Sequence, residues 1–292
     1  MSLNISTNTA ALRAGSYLSQ NNAKLQTSFD RLASGKKLSS PIEDPGGLAV
    51  SMKLSASINR LAGAQNNVQN ATSFLEVQDG MLDTVGKIVD RMSELKGLAS
   101  QDPMKSSQDR ASYNNEFKDL QVQLYSISQQ GFNGVSLFAN HTTDANGDIE
   151  ATEALFNGKD TLRTRDNTMT IFTSTEGSGG SKVSVFKGSL LSALTIGQNK
   201  STNNTWSGAD NSTTAVGSTG ATATFASASI EGTLDLDQIS VGVITQALEN
   251  ISYLRSQNGG SQSRLAFNLD SLTQQKTNMR AALGRIVDVD IA

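Results

Sequence analysis

The residues of this chain that could carry out chemistry are few and scattered. Glu43 and Asp44 form an adjacent acid pair, and Asp144-Ala145-Asn146-Gly147-Asp148-Ile149-Glu150 sets oxygen ligands at alternate positions, while His141 and Trp206 each occur once. The acid pair could serve acid–base catalysis, but Asp44 followed by Pro45 reads as a helix N-cap with proline at the first helical position, where acids are favoured. The alternating run offers part of a calcium loop without the distant bidentate glutamate or the flanking helices. It reads as a surface turn. His141 has no second imidazole with which to share a metal and lies in a polar stretch, and Trp206 lies among Asn and Ser. No glycine-rich phosphate loop, nucleophile elbow or zinc-binding helix signature occurs. The expectation is a protein that is not an enzyme, with no cofactor and no catalytic or metal residues.

The elements that would have to position any such group are instead long rods. From Gly47 to Ala99 no proline intervenes, and Leu54, Leu61, Val68, Leu75, Leu82 and Val89 recur every seven residues, the repeat that keeps an apolar seam against a partner helix. Further rows join at Ala71, Val85 and Met92 and at Phe74, Met81, Ile88 and Leu95, so the apolar arc widens and needs at least two partners. At ~1.5 Å per residue this rod would be roughly 80 Å long. Tyr113, Phe117, Leu120, Leu124 and Ile127 predict an antiparallel return helix over about 107–130. Near the C-terminus Ile244, Ile251, Leu265, Leu272, Met279 and Ile286 share one heptad frame with Asn258 as its polar occupant, and Val241, Leu248, Leu269 and Leu283 supply a companion row. The frame predicts one long helix despite Gly259-Gly260. Residues 1–34 carry Leu18, Leu25 and Leu32 in the same spacing, opposite uncharged amides and hydroxyls. Such a helix is frayed in water until a partner covers it.

Composition agrees with thin, extended contacts. Of 292 residues only 37% are hydrophobic and 5% aromatic, lean for a large compact core, and the net charge of -3 provides no general attraction to nucleic acid or anionic membrane. Arg13, Lys24, Arg31, Lys36 and Lys37 are dispersed without interleaved aromatics, so a nucleic-acid arm is disfavoured. No apolar run approaches the ~20 residues that membrane insertion needs. The first twenty residues show neither a secretory signal nor the arginine density of a transit peptide. With no cysteine, disulfides and thiolate metal sites are excluded. From Ala139 to about Gly232, Ser, Thr, Gly, Asn and Asp dominate, with strand-like alternation at 169–175, 182–186 and 222–230. This reads as a small β-rich insert.

Several motifs taken together resemble the bacterial flagellins. They are Ile5-Ser6-Thr7-Asn8 with Ala11-Leu12, Ser28-Phe29-Asp30-Arg31-Leu32-Ala33-Ser34-Gly35-Lys36-Lys37, Glu43-Asp44, Gly47-Leu48-Ala49-Val50-Ser51, Phe132-Asn133-Gly134, Gln262-Ser263-Arg264-Leu265, Asn268-Leu269 and Arg285-Ile286-Val287-Asp288-Val289-Asp290. The resemblance covers roughly two thirds of the chain. It implies a mainly α fold: a discontinuous long-helix coiled-coil bundle built from N- and C-terminal segments, with an inserted small β-rich (α+β) outer domain. Residues 1–44 would be an N-terminal filament-core segment, disordered or helical when assembled; 45–138 and 233–292 a discontinuous helical rod domain; and 139–232 a variable outer domain.

The function implied is that of a structural subunit of the bacterial flagellar filament, a homopolymer for motility. It would be exported through the flagellar type III apparatus with a chaperone, assembled with cap and junction proteins, and secreted to the extracellular flagellum. Leu18, Leu25, Leu32, Leu54, Leu61, Val68, Leu75, Leu82, Val89, Leu265, Leu272, Met279 and Ile286 would be its seam and assembly residues. Arg91, Leu95 and Glu116 match positions through which flagellin-sensing Toll-like receptors contact the family. The family usually continues beyond the Asp288-Val289-Asp290 region with a helix that pairs with the N-terminal one, and this chain lacks that terminal helix. Pro41, Pro45 and Val287-Asp288-Val289-Asp290 are closer to the hook-filament junction protein, a first alternative. A secreted adhesin or carbohydrate-binding protein that uses the insert is a second.

Overall fold

Fifty-six consecutive residues form one helix in the computed structural model of the chain, which describes residues 9–38, 40–100, 105–139, 168–198 and 221–290. The helices are α1 (Thr9–Ser34), α2 (Pro45–Ser100), α3 (Ser107–Ser128) and α4 (Val241–Val287). The strands are β1 (Gly131–Phe132), β2 (Val135–Ser136), β3 (Thr168–Phe172), β4 (Lys182–Phe186), β5 (Thr195–Gln198) and β6 (Ala221–Thr224), with one helical turn at Leu190–Ala193. Strands pair as three separate antiparallel two-stranded sheets, β1 with β2, β3 with β4 and β5 with β6. The fold is mainly α, with long helices from both ends of the sequence and a small strand-containing middle.

Local chemistry sets the helix boundaries. Helix α1 stops at Gly35, whose φ of 66° is left-handed, a conformation costly for other residues. Asp44 caps α2: its Oδ1 accepts from the Gly47 amide at 2.8 Å, and Pro45 is the first helical residue. Ser106 and Asp109 cap α3 reciprocally, Asp109 N–H donating to Ser106 Oγ at 3.3 Å and Ser106 N–H to Asp109 Oδ2 at 3.1 Å. Asn133 and Gly134, with φ of 51° and 78°, make the two-residue turn that joins β1 to β2.

The chain separates into two compact units, and α2 and α4 contribute to both. The larger unit, Asn67–Thr173 with Gly177–Leu269, holds most of the core. In it Val68, Leu75, Leu82 and Val89 of α2 are buried together with the widening rows Ala71, Val85 and Met92 and Phe74 and Leu95. Phe117, Leu124 and Ile127 of α3 and Ile244, Ile251 and Leu265 of α4 are buried as well. The companion row expected on α4 differs: Val241 and Leu248 are exposed, and Val243, Ala247 and Leu254 are buried instead. The reason lies in the insert, because the turn Leu190–Ala193 packs onto this side of α4 and Asn250 Nδ2 donates to Ala193 O at 3.0 Å.

Buried amides fasten irregular segments to the rods. Gln121, fully buried on α3, accepts from Leu234 N–H at 2.9 Å and donates to Leu234 O at 2.8 Å. One turn pair away Asn114 accepts from Leu236 N–H at 2.7 Å and donates to Asp235 Oδ1 at 2.8 Å. Gln78 Nε2 on α2 donates to Leu137 O at 2.9 Å. Across α2 and α4, Arg255 reaches Asp79 and Asp83 at 3.3 and 2.9 Å. Lys118 lies 2.8 Å from Asp235, and these bonds, first that of Lys118 and then that of Asn114, hold the Asp235 carboxyl below its ordinary 3.8.

Two expectations follow from these fastenings. Gln121→Leu removes the partner of both backbone groups of the half-buried Leu234 and lowers stability by about 1–3 kcal/mol in urea unfolding. Asp235, with its depressed folded value, contributes stability that is whole above pH ~3.8 and lost as pH falls through the lower folded value. The stability difference between the parent and Asp235→Asn, under about 1 kcal/mol for so exposed a pair, is therefore constant from pH 7 down to that point and disappears below it.

Candidate assembly surface

Helix α1 belongs to the smaller unit, Met1–Asn66 with Ser174–Glu176 and Asp270–Ala292. Its heptad spacing places Leu18, Leu25 and Leu32 in one row, with Leu12, Tyr17 and Phe29 nearby, and every one of these side chains is more than half exposed. No residue of α1 is buried. The opposite face carries Arg13, Ser16, Gln20, Lys24 and Thr27, groups that water solvates as well as any partner would. The helix is therefore amphipathic, with its apolar side bare, an arrangement that normally marks a surface made to be covered.

What holds the base of α1 is backbone pairing. Lys37 N–H donates to Val287 O at 2.6 Å, Val289 N–H donates to Gly35 O at 3.1 Å, and Lys36 stands opposite Asp288 in an antiparallel bridge. Arg31 reaches Glu43 at 3.4 Å. In the same unit Leu61 and Leu272 are buried, and Leu54, Met279 and Ile286 are half-buried. Gln65 joins the opposing helix twice, donating to Thr273 Oγ1 at 3.0 Å and accepting from Lys276 Nζ at 2.9 Å.

The larger unit brings Arg91 and Glu116 together. Arg91 Nε lies 2.8 Å from Glu116 Oε1, Nη2 lies 3.2 Å from Oε2, and Nη1 reaches Glu94 at 2.7 Å. Hydrogen bonding to Glu116 first, and then to Glu94, raises the guanidinium above its ordinary value. Both partners are partly exposed, whereas Leu95 is fully buried one turn further along α2. Asp83 is shared between Lys87 and Arg255, and the bond from Lys87 is the main cause that lowers its carboxyl.

The candidate chemistry of the sequence is thinly represented. Glu43 and Asp44 are occupied by the Arg31 pair and the α2 cap. His141, Trp206, the run 144–150 and the motif at 5–8 lie outside the described residues. Among the described residues no three acidic or imidazole groups converge as a metal site, and no helix is long and apolar enough to cross a membrane. The buried amides Gln78, Gln121 and Asn250 and the half-buried Asn114 were not legible from sequence, since nothing in their spacing distinguishes them from surface amides.

Long helices supplied by both ends of a chain, a small strand-containing middle and a bare amphipathic N-terminal helix define a class of structural, self-associating helical proteins. The chain matches the bacterial flagellin N-terminal helical region over residues 5–143 and the bacterial flagellin C-terminal helical region over residues 241–292. It belongs to the bacterial flagellin family. It is 25% identical to a flagellin of Listeria innocua and 27% identical to a flagellin of Bacillus subtilis, in each case across 99% of this chain and 88% of the relative. It is also 31% identical to a flagellar filament 30.7 kDa core protein of Treponema maltophilum, over 46% of this chain and 47% of that protein.

Proposed function

We infer that this chain is a structural subunit of the bacterial flagellar filament that polymerises with copies of itself. The observation that carries the inference is the bare apolar row of α1. Burial of a side chain the size of leucine or phenylalanine contributes about 1.5–3 kcal/mol, so covering Leu12, Leu18, Leu25, Phe29 and Leu32 in an assembly offsets the ordering cost of association. A helix of this kind gains its partner only when subunits meet. The seam residues from Leu54 to Val89 and from Leu265 to Ile286 stiffen the subunit that presents it.

The reading carries further expectations. The subunit travels through the flagellar export apparatus with a chaperone, adds beneath a cap protein, meets junction proteins at the filament base, and ends outside the cell. Residues 1–44 form the filament-core segment, 45–138 with 233–292 the rod, and 139–232 the outer domain. The alternatives of a hook-filament junction protein and of a secreted adhesin or carbohydrate-binding protein are not favoured, since both family matches and the named relatives are flagellins or a flagellar filament core protein.

The triple variant Leu18→Ser, Leu25→Ser, Leu32→Ser tests the inference. These side chains are exposed in the subunit, so its urea midpoint shifts little, within about 0.5 kcal/mol, while growth on preformed flagellar seeds, followed by light scattering and electron microscopy, is abolished. Seeded growth equal to that of the parent would overturn the assembly role of α1. Recognition by a flagellin-sensing Toll-like receptor is a second reading, favoured by the exposed Arg91–Glu116 fork. Arg91→Ala is expected to lower signalling in receptor-bearing cells at least tenfold with helix content retained, and unchanged signalling would reject it.

A further inference from the structure

Over a single turn α4 loses both of the things that stabilise a packed helix. On the buried side Leu254 and Leu265 are apolar anchors, but the buried positions between them are Asn258 and Ser261. Asn258 Nδ2 donates to Leu75 O at 2.9 Å, while its Oδ1 is buried and accepts nothing. Leu75 lies within α2, where its carbonyl already takes an intrahelical bond, so the contact rescues no orphaned group. Ser261 Oγ donates back to Gln257 O at 3.1 Å, a bond of the kind that competes with the helix ladder. On the exposed side of the same turn stand Gly259 and Gly260.

Neither glycine is required by packing. A Cβ at either would meet nothing within 4 Å, and neither has a positive φ. Each nonetheless weakens the helix about fivefold relative to alanine. Gly80 and Gly86 of α2 have the same room, yet they lie among the buried Leu75, Leu82, Val85 and Val89. At 257–261 the poor helix formers and the missing apolar contacts coincide, and glycine beside serine is a recognised place for a helix to bend.

We propose that Gln257–Ser261 is a soft joint built into α4. The helix opens there locally while its neighbours stay formed, held on one side by Ile251, Leu254 and the Arg255 fork to Asp79 and Asp83, and on the other by Leu265. Such a joint lets α4 change its curvature without unfolding the bundle around it, and it requires nothing of the filament role.

Amide hydrogen exchange of the full, unassembled chain tests the proposal. Amides of residues 258–264 exchange at least tenfold faster than those of 243–254 and 265–272. In Gly259→Ala/Gly260→Ala that fast window slows tenfold or more, to the level of its flanks. Asn258→Leu, which completes the apolar row and leaves no carbonyl unpaired, folds with an equal or higher thermal midpoint and likewise slows the window. Uniform protection along α4 in the parent, a fast window unchanged by the double alanine variant, or loss of helix in Asn258→Leu would each overturn the joint.

Discussion

A helix of 56 residues has no interior of its own. Everything that makes α2 stable must be brought to it from elsewhere in the sequence, and the heptad rows dictate where. In the larger unit the arc widens to three rows, and α3 and α4 supply the faces that cover them. In the smaller unit α2 buries Ser51, Ile58, Leu61 and Ala64, with Leu54 half-buried. The width of the apolar arc thus sets how many helices each stretch of α2 requires.

Polar groups then decide where the irregular segments attach. Apolar seams repeat every seven residues and are alike along their length, so they give little information about where a loop should dock. Gln121 reads both backbone groups of Leu234, Asn114 reads Leu236, Gln78 reads Leu137 and Asn250 reads Ala193. An amide is suited to this task because it offers a donor and an acceptor without charge, and its burial costs little when both are used. Gln78 and Asn258 depart from that balance, each donating to a backbone carbonyl while its own buried oxygen accepts nothing.

The long elements were legible because their signals are summed over many residues. The rod expected at 47–99 is α2, the return helix expected at about 107–130 is α3, and the C-terminal frame is α4, entered through a short 3-10 turn at Leu236–Gln238. Asp44-Pro45, Ser34-Gly35 and Phe132-Asn133-Gly134 mark boundaries whose local chemistry is visible in a few residues. The companion row of α4 was misjudged because periodicity cannot tell which side an inserted segment will cover: Val241 and Leu248 fit the frame, yet Val243 and Ala247 are the buried ones, on the side where Asn250 bonds to Ala193 of the turn at 190–193. Leu120 fits the seam of α3, and its neighbour Gln121 is the fully buried one, for the tertiary reason that a backbone edge waits there.

The stitching of Gly35–Lys37 to Val287–Val289 carries a kinetic consequence. Gln65 meets Thr273 and Lys276 across 208 and 211 residues, and the stitch spans a still longer separation. Contacts between such distant parts of a sequence close slowly, because a large loop must be ordered before any return is made. During synthesis the amino-terminal third emerges with its counterpart not yet translated, so it cannot mature on the ribosome. The segment around Gly35 stays pliant until Val287–Val289 has been made, and only then can the two stretches be locked together.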